Sequence, residues 1–322
     1  MALSDDQLDR YARHIILREI GGEGQKRLLG AHVTVIGAGG IGSPAIQYLA
    51  GAGIGTLRLI DDDRVDLSNL QRQTLFGTGD IGTPKAEAAM RAVARLNPDV
   101  KVVPILQRLD AGNAEAMLHD SHVILDGCDN FATRLIVGDA ATRLRIPLVS
   151  AAVGQFEGQL AVFRGWEAGQ PCYRCLVGDD PARAEASCAD QGVLGALTGV
   201  MGSLAAMEAI RALVPFGEDS AGRLLIADLL ALRFRTLALP PDPACPICAA
   251  PRHADPSSAA SCPRRGYSCK WRPCACFVPR FTRRATRSIG TPVSRRSPSC
   301  WTRRWPMTSR SSPVKAALPC AR

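Results

Sequence analysis

The sequence predicts an α/β protein: a Rossmann-like, doubly wound, mainly parallel sheet with an N-terminal helical segment and a C-terminal antiparallel extension. A four-cysteine zinc site closes that extension. Three observations predict it. Uniformly apolar strand-like runs alternate with helical runs between residues 32 and 153, the pattern of a parallel sheet covered on both faces. The first strand runs into a glycine turn and a helix start in "VTVIGAGGIGSP" (33–44). Two Cys-x-x-Cys pairs, Cys172/Cys175 and Cys245/Cys248, lie after the alternating region.

Each element follows from local pattern. Ser4 or Asp5 can cap a first helix, and "LDRYARHIILREI" carries helical apolar spacing through residue 20. A short second helix is expected from Gly24 to Leu29. Then come strand "HVTVIG", helix Ile41 to Ala52, strand "TLRLID", and helix "TPKAEAAMRAVARLNP" with Pro84 in its first turn. Strand "VKVVPI", helix Ala111 to His119, strand "HVILDG", helix Asn130 to Leu144 and strand "PLVSAAV" complete the alternation. After Val153 the texture changes. "GQLAVF" reads as an antiparallel strand, and "GDDPARAEASCADQG" as a polar loop. A long helix is expected near 192–214, and "RLLIADL" and "FRTLAL" form a final hairpin. Glycines 195, 199 and 202 in the long helix suit close packing.

Composition divides the chain in two. The net charge of the 322 residues is +9, yet residues 251–322 alone carry 16 Lys+Arg and one acid. The first 250 residues are therefore mildly acidic, at −6. The last 72 hold ten of the 22 prolines and six of the 12 cysteines, with no helical or strand period. Such a segment builds no packed core. A basic arm for nucleic acid and a cysteine-rich module are two readings of it. The Arg, Pro, Ser, Cys and Trp bias without acids favours a third, a GC-rich gene read out of frame. The expected organisation is thus a folded domain over 1–250 and a basic tail over 251–322.

The N-terminus carries acids where a secretion signal has a basic region. The longest uncharged apolar run, Gly192 to Met207, is short for a membrane span. A soluble, cytoplasmic protein without a membrane partner is expected, and in that compartment paired cysteines favour metal over disulfide.

Gly37, Gly39 and Gly42 have the G-x-G-x-x-G spacing that lets backbone amides approach phosphate at a helix N-terminus. Asp61 ends the next strand, where an acid accepts bonds from ribose hydroxyls. This turn alone leaves NAD and ATP both open. Asn69, Arg72 and Lys85 follow on a loop and a helix start; a hydride-transfer site has no evident need for them, whereas a triphosphate does. Each alone would be an ordinary solvated polar residue. Asp129 and Asn130 begin a helix after the strand ending in Asp126. Asp129 is placed to hold Mg²⁺ against phosphate, and either residue can instead cap the helix. The four cysteines supply a complete tetrahedral thiolate set, with no open catalytic position. Cys188, alone in the polar loop, is either a nucleophile or incidental.

A family then fits. Residues 8–250 resemble the MoeB/ThiF/HesA adenylyltransferases, bacterial relatives of ubiquitin-activating enzymes. The resemblance rests on "RYARHIIL", "GAGGIGSP", DxDxVxLSNLQRQ, "GTPKAEAA", "DGCDN", "PCYRC", "MGSLAAMEAI" and "CPIC", in that order. It implies ATP-dependent adenylylation of the C-terminal Gly-Gly carboxylate of a small ubiquitin-like sulfur carrier, with Mg²⁺ and Zn²⁺. By the resemblance, Gly40 and Asp61 contact the adenosine side, and Ser68, Asn69, Arg72 and Lys85 surround the triphosphate. Asp129 binds Mg²⁺ with Asn130 beside it, Arg13 reaches a neighbouring subunit's site in a homodimer, and Cys172, Cys175, Cys245 and Cys248 bind zinc. Cys188 matches a loop cysteine that in some members forms a thioester or acyl disulfide. A cysteine desulfurase or rhodanese is the implied sulfur donor, and the tail stands where some members carry a rhodanese domain. Activation of a carboxylate on tRNA by a related member, and an NAD-dependent oxidoreductase, are the alternatives.

Overall fold

Strand β1 (His32–Ile36) is the centre of the first half of the molecule. The computed structural model describes residues 3–178 and 192–249; Cys188 and the tail from residue 250 lie outside the described residues. The chain before β1 forms α1 (Asp5–Arg10), α2 (Ala12–Ile15) and α3 (Gly21–Leu29). The crossovers then alternate as α4 (Gly42–Gly51), β2 (Thr56–Ile60), α5 (Lys85–Leu96), β3 (Lys101–Ile105), α6 (Ala114–Leu118), β4 (Val123–Asp126), α7 (Phe131–Leu144) and β5 (Leu148–Gly154). After β5 come β6 (Glu157–Phe163), α8 (Tyr173–Val177), α9 (Gly195–Leu213), β7 (Arg223–Asp228) and β8 (Arg233–Ala238).

One sheet of eight strands results, in the order β3-β2-β1-β4-β5-β6-β7-β8. The first five strands are parallel, and β6, β7 and β8 add antiparallel. Period-2 alternation divides the strand side chains between two cores. Val33, Val35, Leu57, Leu59, Val123, Leu125 and Val149 meet α4, α5 and α9 on one face. Ile36, Ile60, Ile124, Leu148 and Phe163 meet α6 and α7 on the other.

The N-terminal helix departs from the continuous one expected. Ser4 and Gln7 form a capping box, but the helix stops at Arg10 and Tyr11 leaves helical geometry (φ −101°, ψ 11°). The cause is tertiary. Tyr11 is buried, and its hydroxyl accepts a 2.8 Å bond from Asn97 Nδ2 beyond the end of α5. Docking that side chain takes the backbone off the helical path. A separate short helix, α2, follows the break, and α3 starts at Gly21, three residues before its expected start.

Helix α9 is long and apolar enough to cross a membrane by length and composition alone. Here it packs on α4, β5 and β6, with Leu197, Met201, Ala205, Ala206 and Ala209 buried. Its glycines differ in role. A Cβ at Gly202 would collide with the Ile41 carbonyl oxygen and stand 2.5 Å from Pro44 Cγ, whereas a Cβ at Gly199 meets nothing within 4 Å. Only Gly202 is therefore a packing glycine against α4. Gly202→Ala is expected to destabilise the domain by about 1–3 kcal/mol through overpacking. Gly199→Ala is expected to be neutral or stabilising, by up to about 1 kcal/mol of helix propensity. Urea denaturation midpoints of the two variants check this.

A second prediction concerns Asp120, which follows α6. Arg58 on β2 grips it through Nη1–Oδ1 at 2.5 Å and Nη2–Oδ2 at 3.0 Å. The Arg58 hydrogen bond holds the Asp120 carboxyl down, from 3.8 to about 2. Because the folded-state pKa is depressed, the pair stabilises the fold above about pH 4. That contribution is lost as pH falls through about 2. Asp120→Asn is expected to flatten this part of the acid-unfolding curve, measured by circular dichroism between pH 5 and 2.

Candidate functional site

The order of the strands reverses direction between β1 and β4, and ligands of such sheets sit outside the carboxyl ends at that point. A cleft of about 620 Å³ opens there. It brings Gly37, Gly39, Gly40, Asp61, Asn69, Arg72, Lys85, Asp129 and Asn130 around one space. These residues come from four separate segments: the turn after β1, the loop after β2, the start of α5 and the loop after β4.

Asp61 Oδ2 accepts from Ala38 N at 2.7 Å, and Oδ1 from Asp63 N at 2.9 Å. One carboxylate thus links the glycine turn to the second loop. Burial pushes its pKa up, against the opposing pull of Lys85 and the two amides. Lys85 opens α5 nearly buried, its Nζ 2.7 Å from Asp63 Oδ2. Arg72 is braced by the Ser68 carbonyl (3.2 Å) and Asn69 Oδ1 (3.0 Å). Asn69 Oδ1 also accepts from Gln73 Nε2 at 3.1 Å, so its amide N–H groups are its remaining donors.

After β4 the two adjacent acid/amide residues divide their work. Asn130 caps α7, its Oδ1 accepting from Thr133 N at 2.9 Å and from Thr133 Oγ1 at 3.1 Å. Asp129 is left exposed on the cleft wall. Three residues of the expected set do not line the cleft. Gly42 faces the Gly37 carbonyl, where a Cβ would collide, so it closes the turn. Ser68 turns its hydroxyl to Asp66 Oδ1 at 2.6 Å. Arg13 is exposed on α2, outside the cleft.

Other lining residues are not singled out by the sequence, although Gln73 and Cys128 lie inside motifs that carry the family resemblance. Gln73 is 3% exposed, and its Oε1 has no hydrogen-bond partner among the described residues. Asp62, Asp63, Gln107, Arg108, Gln159 and Thr198 add to the polar lining. Cys128 also borders it, but burial, with the Asp126 carboxylate beside it, pushes its thiol well up. It is therefore no thiolate nucleophile at neutral pH. Arg134 is the largest omission, a 7% exposed cation on α7 that faces Asp126. Its sequence signal is weak: a charge in the mostly apolar stretch "FATRLIVGDAA", which also holds Asp139.

The four Cys-x-x-Cys sulfurs converge, all Sγ atoms lying within 4.8 Å of one another. Neighbouring sulfurs are 3.5 Å (Cys172–Cys245), 3.9 Å (Cys172–Cys175) and 3.3 Å (Cys175–Cys248) apart. None is in a disulfide. A tetrahedral zinc with Zn–S bonds of about 2.3 Å needs sulfurs about 3.8 Å apart, so the donor set fits. Burial pushes the Cys172 thiol up and the Cys248 thiol up to about 12. A bound cation would reverse that by holding the thiolates.

Fold and cleft define an α/β protein of the Rossmann type, with four cysteines gathered between the turn after β6 and the segment after β8. The model of the ThiF family matches residues 11–247, and the chain belongs to that family. It is 46% identical over 249 residues to the SAMP-activating enzyme E1 of Haloferax volcanii, covering 77% of this chain and 91% of that protein. It is 46% identical over 253 residues to the sulfur carrier protein adenylyltransferase of Thermus thermophilus, covering 77% and 93%. With the molybdopterin-synthase adenylyltransferase of Salmonella typhimurium it shares 41% over 249 residues, covering 76% and 98%. The crystal structure of Escherichia coli MccB with ATP has the same fold, with a TM-score of 0.65, 22% identity and 74% of each chain covered.

Proposed function

We propose that this chain activates the C-terminal carboxylate of a small ubiquitin-like sulfur-carrier protein by transferring AMP to it from ATP. The observation that carries the reading is the convergence of the glycine turn, Asp61, Asn69, Arg72, Lys85 and Asp129 on one cleft. It occurs in a family whose relatives are named for adenylylating sulfur carriers.

The chemistry needs little beyond placement and charge. A carboxylate oxygen of the carrier's terminal glycine attacks the α-phosphorus. The bond from that phosphorus to the bridging oxygen of the β-phosphate breaks, and pyrophosphate leaves. The attacking carboxylate is already ionised, so no general base is required. Backbone amides of Gly39 and Gly40 and the N-terminus of α4 face the phosphates, and Asp61 takes the ribose hydroxyls. Arg72 offers a planar fork and Lys85 a point charge to the leaving pyrophosphate. Asp62, Asp63 and Asp129 share the cleft, and a triphosphate beside them calls for a divalent cation between the negative groups. Asp129 is the residue assigned to hold Mg²⁺, leaving Asn130 to its capping role.

The four cysteines are assigned to zinc, which supplies cross-linking and no chemistry. The exposed Arg13 suits a homodimer in which it reaches the neighbour's cleft. The unpaired thiols among the described residues suit a cytoplasmic, reducing compartment. A sulfur donor, a cysteine desulfurase or rhodanese, would consume the acyl-adenylate. Residues 1–250 are the proposed catalytic unit and 251–322 a dispensable extension.

Isotope exchange between pyrophosphate and ATP, dependent on a Gly-Gly-ended carrier, tests the reading. NADH turnover without exchange would overturn it. Asp129→Ala is expected to lower exchange by roughly 100-fold or more, as for loss of one preorganised electrostatic group. Its melting temperature should stay that of the parent. Native mass spectrometry should find one zinc per chain, absent from Cys248→Ser, which melts at lower temperature. A chain ending at residue 250 should keep carrier-dependent exchange, and loss of exchange together with RNA affinity would favour the tRNA-linked alternative.

A further inference from the structure

We infer that Arg134 is a positioning residue that holds the loop carrying Asp129, and that Tyr173 ties this loop to the Cys172–Cys175 turn. The inference rests on the proposed function only for its magnesium and zinc-chelation readouts. Loop residues 127–130 join β4 to α7 and are too short to hold their own backbone groups by secondary structure.

Arg134 supplies what they lack. Its Nη2 donates to the Cys128 carbonyl and, at 2.8 Å, to the Ala151 carbonyl on β5. Its Nη1 reaches Ser150 Oγ at 3.4 Å and stands 3.8 Å from Asp126 Oδ2. Asp126 in turn accepts from Cys128 N at 3.1 Å and from Ser150 Oγ at 3.3 Å. Both polar groups of the Cys128 peptide unit are therefore held by one buried ion pair, one residue before Asp129. Lysine cannot replace this, because a single ammonium lacks the planar fork.

The second link starts in the thiolate cluster. Tyr173 lies between two of the cysteines, is 5% exposed and borders the same cleft as Arg134. It shares the cleft wall with the Arg134 guanidinium, and the two groups influence each other electrostatically. Its Cβ packs on α7 at Gly138, where an added methyl would come within 2.7 Å. Arg174, the next residue, forms a two-point pair with Asp139 of α7 at 2.7 and 2.8 Å. Two successive residues of the cysteine turn thus grip the helix whose first turns carry Arg134. Loosening the turn removes one wall from the guanidinium.

The test uses the full chain, with Arg134→Lys and Tyr173→Phe. The phenylalanine keeps the ring that meets Phe163 edge-on at 5.6 Å and deletes only the hydroxyl. Amide hydrogen exchange of the peptide spanning 127–131 is measured without nucleotide. Both variants should exchange faster there, by about 5-fold, within the range that coupling through packed groups spans. The Mg²⁺ concentration for half-maximal pyrophosphate exchange should rise similarly, with the KM for ATP at saturating Mg²⁺ within about 2-fold of the parent. Chelation of zinc should speed exchange at 127–131 in the parent and add little in Tyr173→Phe.

A role confined to core stability would lower melting temperatures and leave both local readouts at parental values, which overturns the inference. Equal increments on chelation in parent and Tyr173→Phe overturn the link to the cysteine turn. Should Arg134→Lys fail to fold, Tyr173→Phe alone decides. A parent without carrier-dependent exchange would sink the proposed function and leave the hydrogen-exchange result to judge this one.

Discussion

A buried carboxylate at the end of β4 sets the terms for the cleft. Asp126 has no solvent exposure, and a charge so placed must be paired and hydrogen-bonded. Arg134 answers from α7 and Ser150 from β5. Burial works to lower the Arg134 pKa, but the Asp126 carboxylate, helped by Cys128 and Tyr173, pushes it up overall. Removing one member of such a pair costs about 3–5 kcal/mol, because the other charge is left uncompensated. The pair joins two parallel strands and a helix at the point where the sheet opens. The loop from β4 to α7 inherits its position from it.

The other organising device lies at the change from parallel to antiparallel strands. Strands β6, β7 and β8 extend the sheet as antiparallel neighbours, with α8 and α9 in the connection from β6 to β7, and every residue of β8 is exposed. The cysteine cluster meets this extension at two points. It joins the turn after β6 to the segment after β8, and Arg174 docks that turn onto α7. The same turn presents Tyr173 to the cleft, so structural and ligand-facing roles meet within four residues.

How much of this was legible in the residues depends on how local the determinant is. The glycine turn, the alternating apolar runs and the paired Cys-x-x-Cys spacings are local, and they point to the sheet, the cleft edge and the thiolate cluster. The break at Tyr11 was not legible, because the helical spacing continues through it. Only the partner at Asn97, 86 residues away, makes burial of the phenol worth leaving the helix. The roles of Gly195, Gly199 and Gly202 were not separable by spacing either. Their neighbours come from other segments: the loop at Gln71 for Gly195, Ile41 and Pro44 for Gly202, none for Gly199. Arg134 carried a weak signal, a charge in an apolar helix, whose meaning lay in residues on β4 and β5.

By itself the sequence determined the chemical inventory: a phosphate-binding turn, an acid after the second strand, cations and carboxylates in loops, and two thiol pairs. These follow from residue type and short spacing, which backbone geometry converts directly into turns, caps and strand ends. Only the tertiary structure decided which members of that inventory share one space. Gly42 and Ser68 were drawn into closing their own turns, Asn130 into capping α7, and Asp129 was left facing the cleft. The reason is competition for hydrogen bonds. A polar side chain offers a ligand only the donors and acceptors that its neighbours leave unused, and those neighbours are known only once the strands are set side by side.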